Sequence, residues 1–268
     1  MNNVLKNTSK FFLYLAIVAP AILASSLFFP FINGKVLLFR VSIELSLLFF
    51  ALYLVKSGRF PDRKLLTHPI IIAIAVFALV FLLTSLTGVN PFASFWSNFE
   101  RGEGAFQIIH YVTFFFLATT LFNSKVEWKR FLIFAQIVTF FVLLYGLAQW
   151  LAKYGLLSLP HIIVTGGRTS GTLGNPSYLN GYLLFNMIFV CWLLLNEQKN
   201  WLRWLWGVLL LFQIGLYFTT ETLAAALSLI IAIFLIIGFG IFVILKLSSQ
   251  EKSRLFFYFS YLSSFIVV

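Results

Sequence analysis

Arg168 stands in the run GGRTSGTLGNPSYLNGYLLF, residues 166–185, among Gly166, Gly167, Thr169, Gly171, Thr172 and Gly174. Glycines let a backbone turn sharply or approach a ligand closely. The Asn175-Pro176 pair that follows reads as a turn opening a helix, with Asn175 or Ser177 as the cap and Pro176 in the first turn. A helix N-terminus beside an arginine suits an anionic group such as phosphate. Arg168 and Asn175 are therefore candidate substrate-binding residues. The same residues also describe a flexible loop whose arginine meets a lipid phosphate, and the pattern alone leaves both open.

A second cluster, Glu100-Arg101-Gly102-Glu103, precedes the helical pattern that begins near residue 106, beside Trp96, Asn98 and Phe99. Acidic residues suit a helix N-terminus, and the aromatics suit a membrane interface. An anchoring turn would use both features. Three charges in one short stretch favour a carboxylate–arginine cluster instead, with Glu100 and Arg101 binding substrate and Glu103 a candidate catalytic group. His110 follows Glu103 by seven residues, about two helical turns, which puts both on one helix face. It is the second catalytic candidate, although a lone span histidine is more often a packing residue. Arg40 and Glu44 are four apart in an apolar run and are expected to form an ion pair. Arg40 can also lend charge to a substrate site.

Other polar residues carry less. Gln107, Gln136, Gln149, Asn186 and Gln213 fall inside apolar runs, where amides glue helices together. Glu221 sits in a short turn as either a cap or a site residue. His68, His110 and His161 are scattered, with no His or Cys pairing at ligand spacing, so no metal is expected. G-x-S-x-G, Walker, Rossmann and H-E-x-x-H patterns are absent, and no cofactor is expected.

The elements that must position these groups follow from composition. Of 268 residues, 61% are hydrophobic and 10% charged, and the mean hydropathy is +0.98. Soluble domains run at about 25% charged residues, and several apolar runs reach the ~20 residues that cross a bilayer. The expected fold is all-α, a polytopic transmembrane bundle forming a single domain over 1–268. Spans are expected near 11–31, 36–55, 69–87, 106–122, 131–151, 179–196, 203–219, 223–245 and 255–268. The first reads as an uncleaved helix, since no A-x-A site follows it. With the N-terminus in the cytoplasm, fourteen of the nineteen basic residues fall on the inner side, as the positive-inside rule requires. The net charge of +11 is thus a topology signal with some attraction for membrane lipids, not a nucleic-acid footprint. The longer, Gly-containing loops 88–105 and 152–178 face outward, where function usually resides. Cys191 stands alone, so no intramolecular disulfide forms.

Four stretches together carry a family resemblance. GRTSGTLGNPSYLNGYLL resembles the R-x-x-G-T-x-G-N-P segment of bacterial O-antigen ligase and polymerase proteins. FWSNFERGEGAFQIIHY resembles the F-W-S-N-x-E-R-x-E-G segment of one branch of that family. FINGKVLLFRVSIEL and LYGLAQW fit their usual places, so the resemblance runs in order along most of the chain. It implies a membrane glycosyltransferase of the cell inner membrane, acting at its outer face without metal or nucleotide. The glycan would pass from undecaprenyl diphosphate to an acceptor glycan, lipid or protein. Arginines would hold the diphosphate and a base in a large outer loop would activate the acceptor. The polar run 166–185 would then offer Arg168 and backbone N–H groups to the diphosphate. Two departures stand out. Leu223 occupies the place of an arginine in the family's T-x-S-R-G-A motif, and the chain stops before the large outer loop. The expectation is a chain truncated at its C-terminal end. The runner-up readings are a non-catalytic member of a glycan assembly complex and a transporter of lipid or glycolipid, although no inverted halves are apparent.

Overall fold

A computed structural model describes residues 2–24, 26–58, 60–98, 102–158, 162–163, 167–223 and 227–231, together with 234 and 238. The described residues are helical, with turns and no strand. They divide into two compact units, residues 1–131 and 132–268.

The first unit holds α1 (Asn2–Ala16), α2 (Asn33–Ser57), α3 (Arg63–Leu66), α4 (Pro69–Thr87), α5 (Pro91–Trp96) and α6 (Ala105–Leu121). It also holds the first turns of α7 (Lys125–Lys153). The span expected over 11–31 is not one helix. The chain is helical from Asn2, stops at Ala16 and makes a 3-10 turn over Ala19–Ala21. Pro20 explains the stop: it has no N–H to give the carbonyl of residue 16, and its ring clashes with that carbonyl. A reciprocal serine pair joins α1 to α2. The Ser9 hydroxyl donates to the Ser46 carbonyl at 2.8 Å and the Ser46 hydroxyl to the Ser9 carbonyl at 2.9 Å. Close approach with such bonds holds helices together where lipid removes the hydrophobic drive. Lys10, the residue after Ser9 in α1, pairs with Glu127.

The second unit holds the remainder of α7, then α8 (Pro176–Leu195) and α9 (Asn200–Phe218), with a 3-10 turn at Gly171–Leu173 before α8. The amides expected as glue do that work here. Gln136 donates to Asn186 at 3.0 Å and Gln213 donates to Gln136 at 2.8 Å. The Thr139 hydroxyl donates to the Asn186 side chain at 2.8 Å. Three helices are thus joined through one buried polar network.

Five described helices are long and apolar enough to cross a membrane: α2, α4, α7, α8 and α9. Helix α4 makes the case most directly, because it is the most apolar of the five and only 11% of its apolar stretch is buried within the chain. So much bare apolar surface calls for an apolar surrounding. The expected spans 36–55, 69–87, 106–122, 131–151, 179–196 and 203–219 each coincide with a helix of the structure. Those at 223–245 and 255–268 lie largely or wholly outside the described residues.

Candidate functional site

The candidate residues fall in two places, one in each unit. In the first unit the site is built where α2 meets the turn between α5 and α6. Asn90 caps α5 by accepting from the Ala93 N–H at 3.0 Å, and Pro91 provides the first residue of the helix. The chain then reverses into α6. Gly104 is required there, since a Cβ on it would lie 2.3 Å from the Phe95 carbonyl oxygen and 2.8 Å from the Ser97 nitrogen. Gly102 adopts a left-handed φ of 61°, which favours glycine, and its carbonyl accepts from the Arg40 guanidinium at 2.7 Å. The glycines of the E-R-G-E-G stretch are thus backbone devices that shape the turn and bind Arg40.

Arg40 is half-buried. Its Nε donates to Gln107 Oε1 at 2.7 Å, and its guanidinium lies 4.9 Å from the centre of the Phe106 ring. The Arg40–Glu44 ion pair expected from their spacing does not form. Glu44 Oε1 instead lies 3.1 Å from His110 Nε2. The reason is geometric: Gly102, Gln107 and Phe106 draw the guanidinium toward the helix end, away from Glu44. His110 is buried, and its other ring nitrogen lies 2.7 Å from the Phe106 carbonyl oxygen. Its ring meets the Phe106 ring at 4.6 Å. Glu103 does not share a helix face with His110, because α6 starts only at Ala105. It stays exposed ahead of the helix. Glu100 and Arg101 lie outside the described residues, as does His161.

In the second unit the site is the loop before α8. Asn175 is the cap of that helix and accepts from the Ser177 N–H at 2.8 Å, with Pro176 at the first helical position. That is the cap arrangement the sequence predicts. The backbone N–H groups expected to face a ligand are engaged within the protein. Ser170 and Gly171 both donate to Gln149 Oε1 at 2.9 Å, and Thr169 donates to the Thr219 carbonyl at 3.3 Å. The Gln149 amide nitrogen in turn donates to the Ile163 carbonyl at 2.7 Å and the Ser170 hydroxyl at 3.2 Å. One side chain pins the loop through four bonds. Its place in an apolar run predicts a helix-gluing amide at 149, whereas the structure gives it a loop-pinning role. The available signal was its position one turn before the loop it holds.

Arg168 itself is exposed, and among the described residues its guanidinium has no hydrogen-bond or ion-pair partner. Asn175, seven residues on, is also exposed, with its side-chain oxygen spent on the cap. Around the C-terminal end of α9, the Thr220 hydroxyl donates to Asn180 Oδ1 at 2.8 Å, and the Asn180 amide donates to Thr222. Glu221 pairs with Lys153 at 2.9 Å, so this acid serves a turn whose φ is 49°. Leu223 is 78% exposed.

The structure therefore brings Arg40 and His110 into one cluster through Phe106, and sets Arg168 and Asn175 on one loop. Among the described residues no three His, Cys, Asp or Glu side chains gather into a metal-holding group. Compared with protein-family models, curated proteins and solved structures, the chain gives no match.

Proposed function

We propose that the chain is an integral membrane glycosyltransferase of the O-antigen ligase and polymerase kind. It moves a glycan from undecaprenyl diphosphate to a hydroxyl or amide of an acceptor glycan, lipid or protein. The reaction takes place at the outer face of the cytoplasmic (inner) membrane. The chain crosses that membrane in about eight to nine spans with its N-terminus inside, following the positive-inside rule. The observation that carries this reading is Arg168, an exposed guanidinium with no partner among the described residues, on a loop whose backbone is pinned by Gln149. A pinned backbone leaves only the side chain of Arg168 to be ordered when its charge meets a departing diphosphate, which lowers the cost of stabilising that charge. The forked donors of the guanidinium match phosphate oxygens. Acceptor activation needs a base, and exposed Glu103 is better disposed to meet a diffusing acceptor than buried His110.

The test is transfer from undecaprenyl-diphosphate glycan in membrane vesicles. Arg168→Ala abolishes transfer at an unchanged level of folded protein; wild-type rates in that variant refute the assignment. Exposed Leu223, where the resemblance places an arginine, favours a second reading: a non-catalytic member of an envelope glycan assembly complex. Absence of transfer by the wild-type chain, with a partner copurifying, decides for that reading.

A further inference from the structure

The contact between Glu44 and His110 has a proton-counting consequence. A backbone carbonyl only accepts hydrogen bonds. With His110 Nδ1 at 2.7 Å from the Phe106 carbonyl, that nitrogen must carry a hydrogen. In a neutral imidazole the other nitrogen then has a bare lone pair. That nitrogen, Nε2, lies 3.1 Å from Glu44 Oε1. A lone pair facing an ionised carboxylate is repulsive. The contact is satisfied only if a proton lies between them, on Nε2 or on the carboxyl oxygen. Both arrangements leave the pair electrically neutral.

Its placement makes this more than a packing contact. Glu44 lies near the middle of α2, a helix of 25 residues apolar enough to cross a membrane, about 16 Å along the axis from the start of the helix. The His110 side chain is 7% exposed and that of Glu44 is 56% exposed. One end of the pair is therefore sealed and the other is open. An open carboxylate at that depth is costly unless neutralised, and ionisable groups kept within spans mark proton or ion pathways. Arg40, one turn away on the same helix, is held over the Phe106 ring by Gln107 and Gly102. It stays close enough to offset the negative charge that the pair gains on losing its proton. The other ionisable groups of this cluster are Tyr111 and Glu103: Tyr111 interacts electrostatically with both Glu103 and Arg40, and Arg40 also with Glu44.

We propose that Glu44 and His110 form a proton-binding site within the span. The loaded pair holds one exchangeable proton and no net charge. The unloaded pair is a carboxylate beside a neutral imidazole. The proton enters and leaves at the Glu44 oxygen that His110 does not engage. The proposal is independent of the glycan-transfer reading.

The experiment uses the full chain in lipid bilayers at neutral and then at lowered pH, with two readouts on the unaltered dyad. A hydrophobic carbodiimide converts a protonated intramembrane carboxyl to a stable acylurea, mapped by mass spectrometry. Nitrogen-15 NMR of histidine-labelled protein reports which His110 nitrogens carry hydrogen, with His68→Gln and His161→Gln used for assignment. The proposal expects His110 Nδ1 protonated, together with either acylurea at Glu44 or a fully protonated imidazolium. It also expects Glu44→Gln, whose amide can donate to bare Nε2, to remove one releasable proton per chain while the helices stay folded. An unmodified Glu44 beside a singly protonated His110, at neutral pH and still when the pH is lowered to the limit at which the helices stay folded, overturns it, as does a bare Nδ1.

Discussion

Replacing Gln149 with leucine tests whether the loop bearing Arg168 is a pinned structure or a flexible connection. The wild-type side chain accepts from the Ser170 and Gly171 amides and donates to the Ile163 carbonyl and the Ser170 hydroxyl. Leucine fills a similar volume and removes all four bonds. Ser170 and Gly171 are both buried, so their amides lose their partner away from water. Each buried unsatisfied group costs about 1–3 kcal/mol, which puts the two amides at about 2–6 kcal/mol together. At about 1.4 kcal/mol per tenfold change, the open form of the loop rises by about 30-fold to about 10⁴-fold. Trypsin reads this directly. Arg168 is exposed, yet the next residue, Thr169, is 2% exposed and its amide is bound to Thr219. The Arg168–Thr169 bond is therefore cut only after the loop opens, and when opening is fast the cleavage rate follows the open population. The expected result is rapid cleavage after Arg168 in Gln149→Leu. Gln149→Glu falls in between, since a carboxylate keeps the two accepted bonds and loses the two donated ones. Cleavage of Gln149→Leu at the wild-type rate would refute the pinning argument.

Two further substitutions test the local geometry. Gly104→Ala forces a Cβ against the Phe95 backbone, which cannot swing aside as a side chain can. It should destabilise the first unit by about 1–3 kcal/mol, read as a lowered melting temperature in detergent micelles. Asn175→Ala removes the cap of α8 and should cost about 1 kcal/mol, whereas Asn175→Ser, which can also cap, should recover most of it. Recovery of stability without recovery of transfer would show that the Asn175 amide also meets the substrate.

The helical architecture was legible because its signals are local. Apolar runs of span length and the Asn-Pro cap of α8 depend on neighbouring residues alone. Contacts made across the sequence were not legible. Glu44 was assigned to Arg40 because four residues make one helical turn, whereas its partner is 66 residues away. The signal for that partner was present in another form: a span carboxylate and a span histidine that each needed a polar neighbour. The first span departs from the expected single helix for a different reason, at one of the two prolines, Pro20 and Pro30, that interrupt its apolar run. Pro20 ends the hydrogen-bond ladder where hydropathy shows no break.

The glycine-rich run before α8 illustrates why residue type alone cannot separate binding from building. Polar atoms bind a ligand only if the fold leaves them unspent, and here most are spent. Gln149 takes two amides, Thr219 takes a third, and Asn175 turns its oxygen inward to cap its own helix. The same accounting applies in the first unit, where Arg40 is committed to Gln107 and Gly102. Among the described residues of these two clusters, the groups left unspent include the Arg168 guanidinium, the Glu103 carboxylate and the outward oxygen of Glu44. Two of these stand on loops fixed by neighbours, Gly102 and Gly104 beside Glu103 and Gln149 behind Arg168, which limits the ordering entropy a ligand must overcome on binding. The spent residues therefore contribute to function by holding the unspent ones in place. Substitutions at Gln149 or Gly104 should impair ligand binding only as far as they loosen the loop, whereas substitutions at Arg168 should impair it with the loop intact.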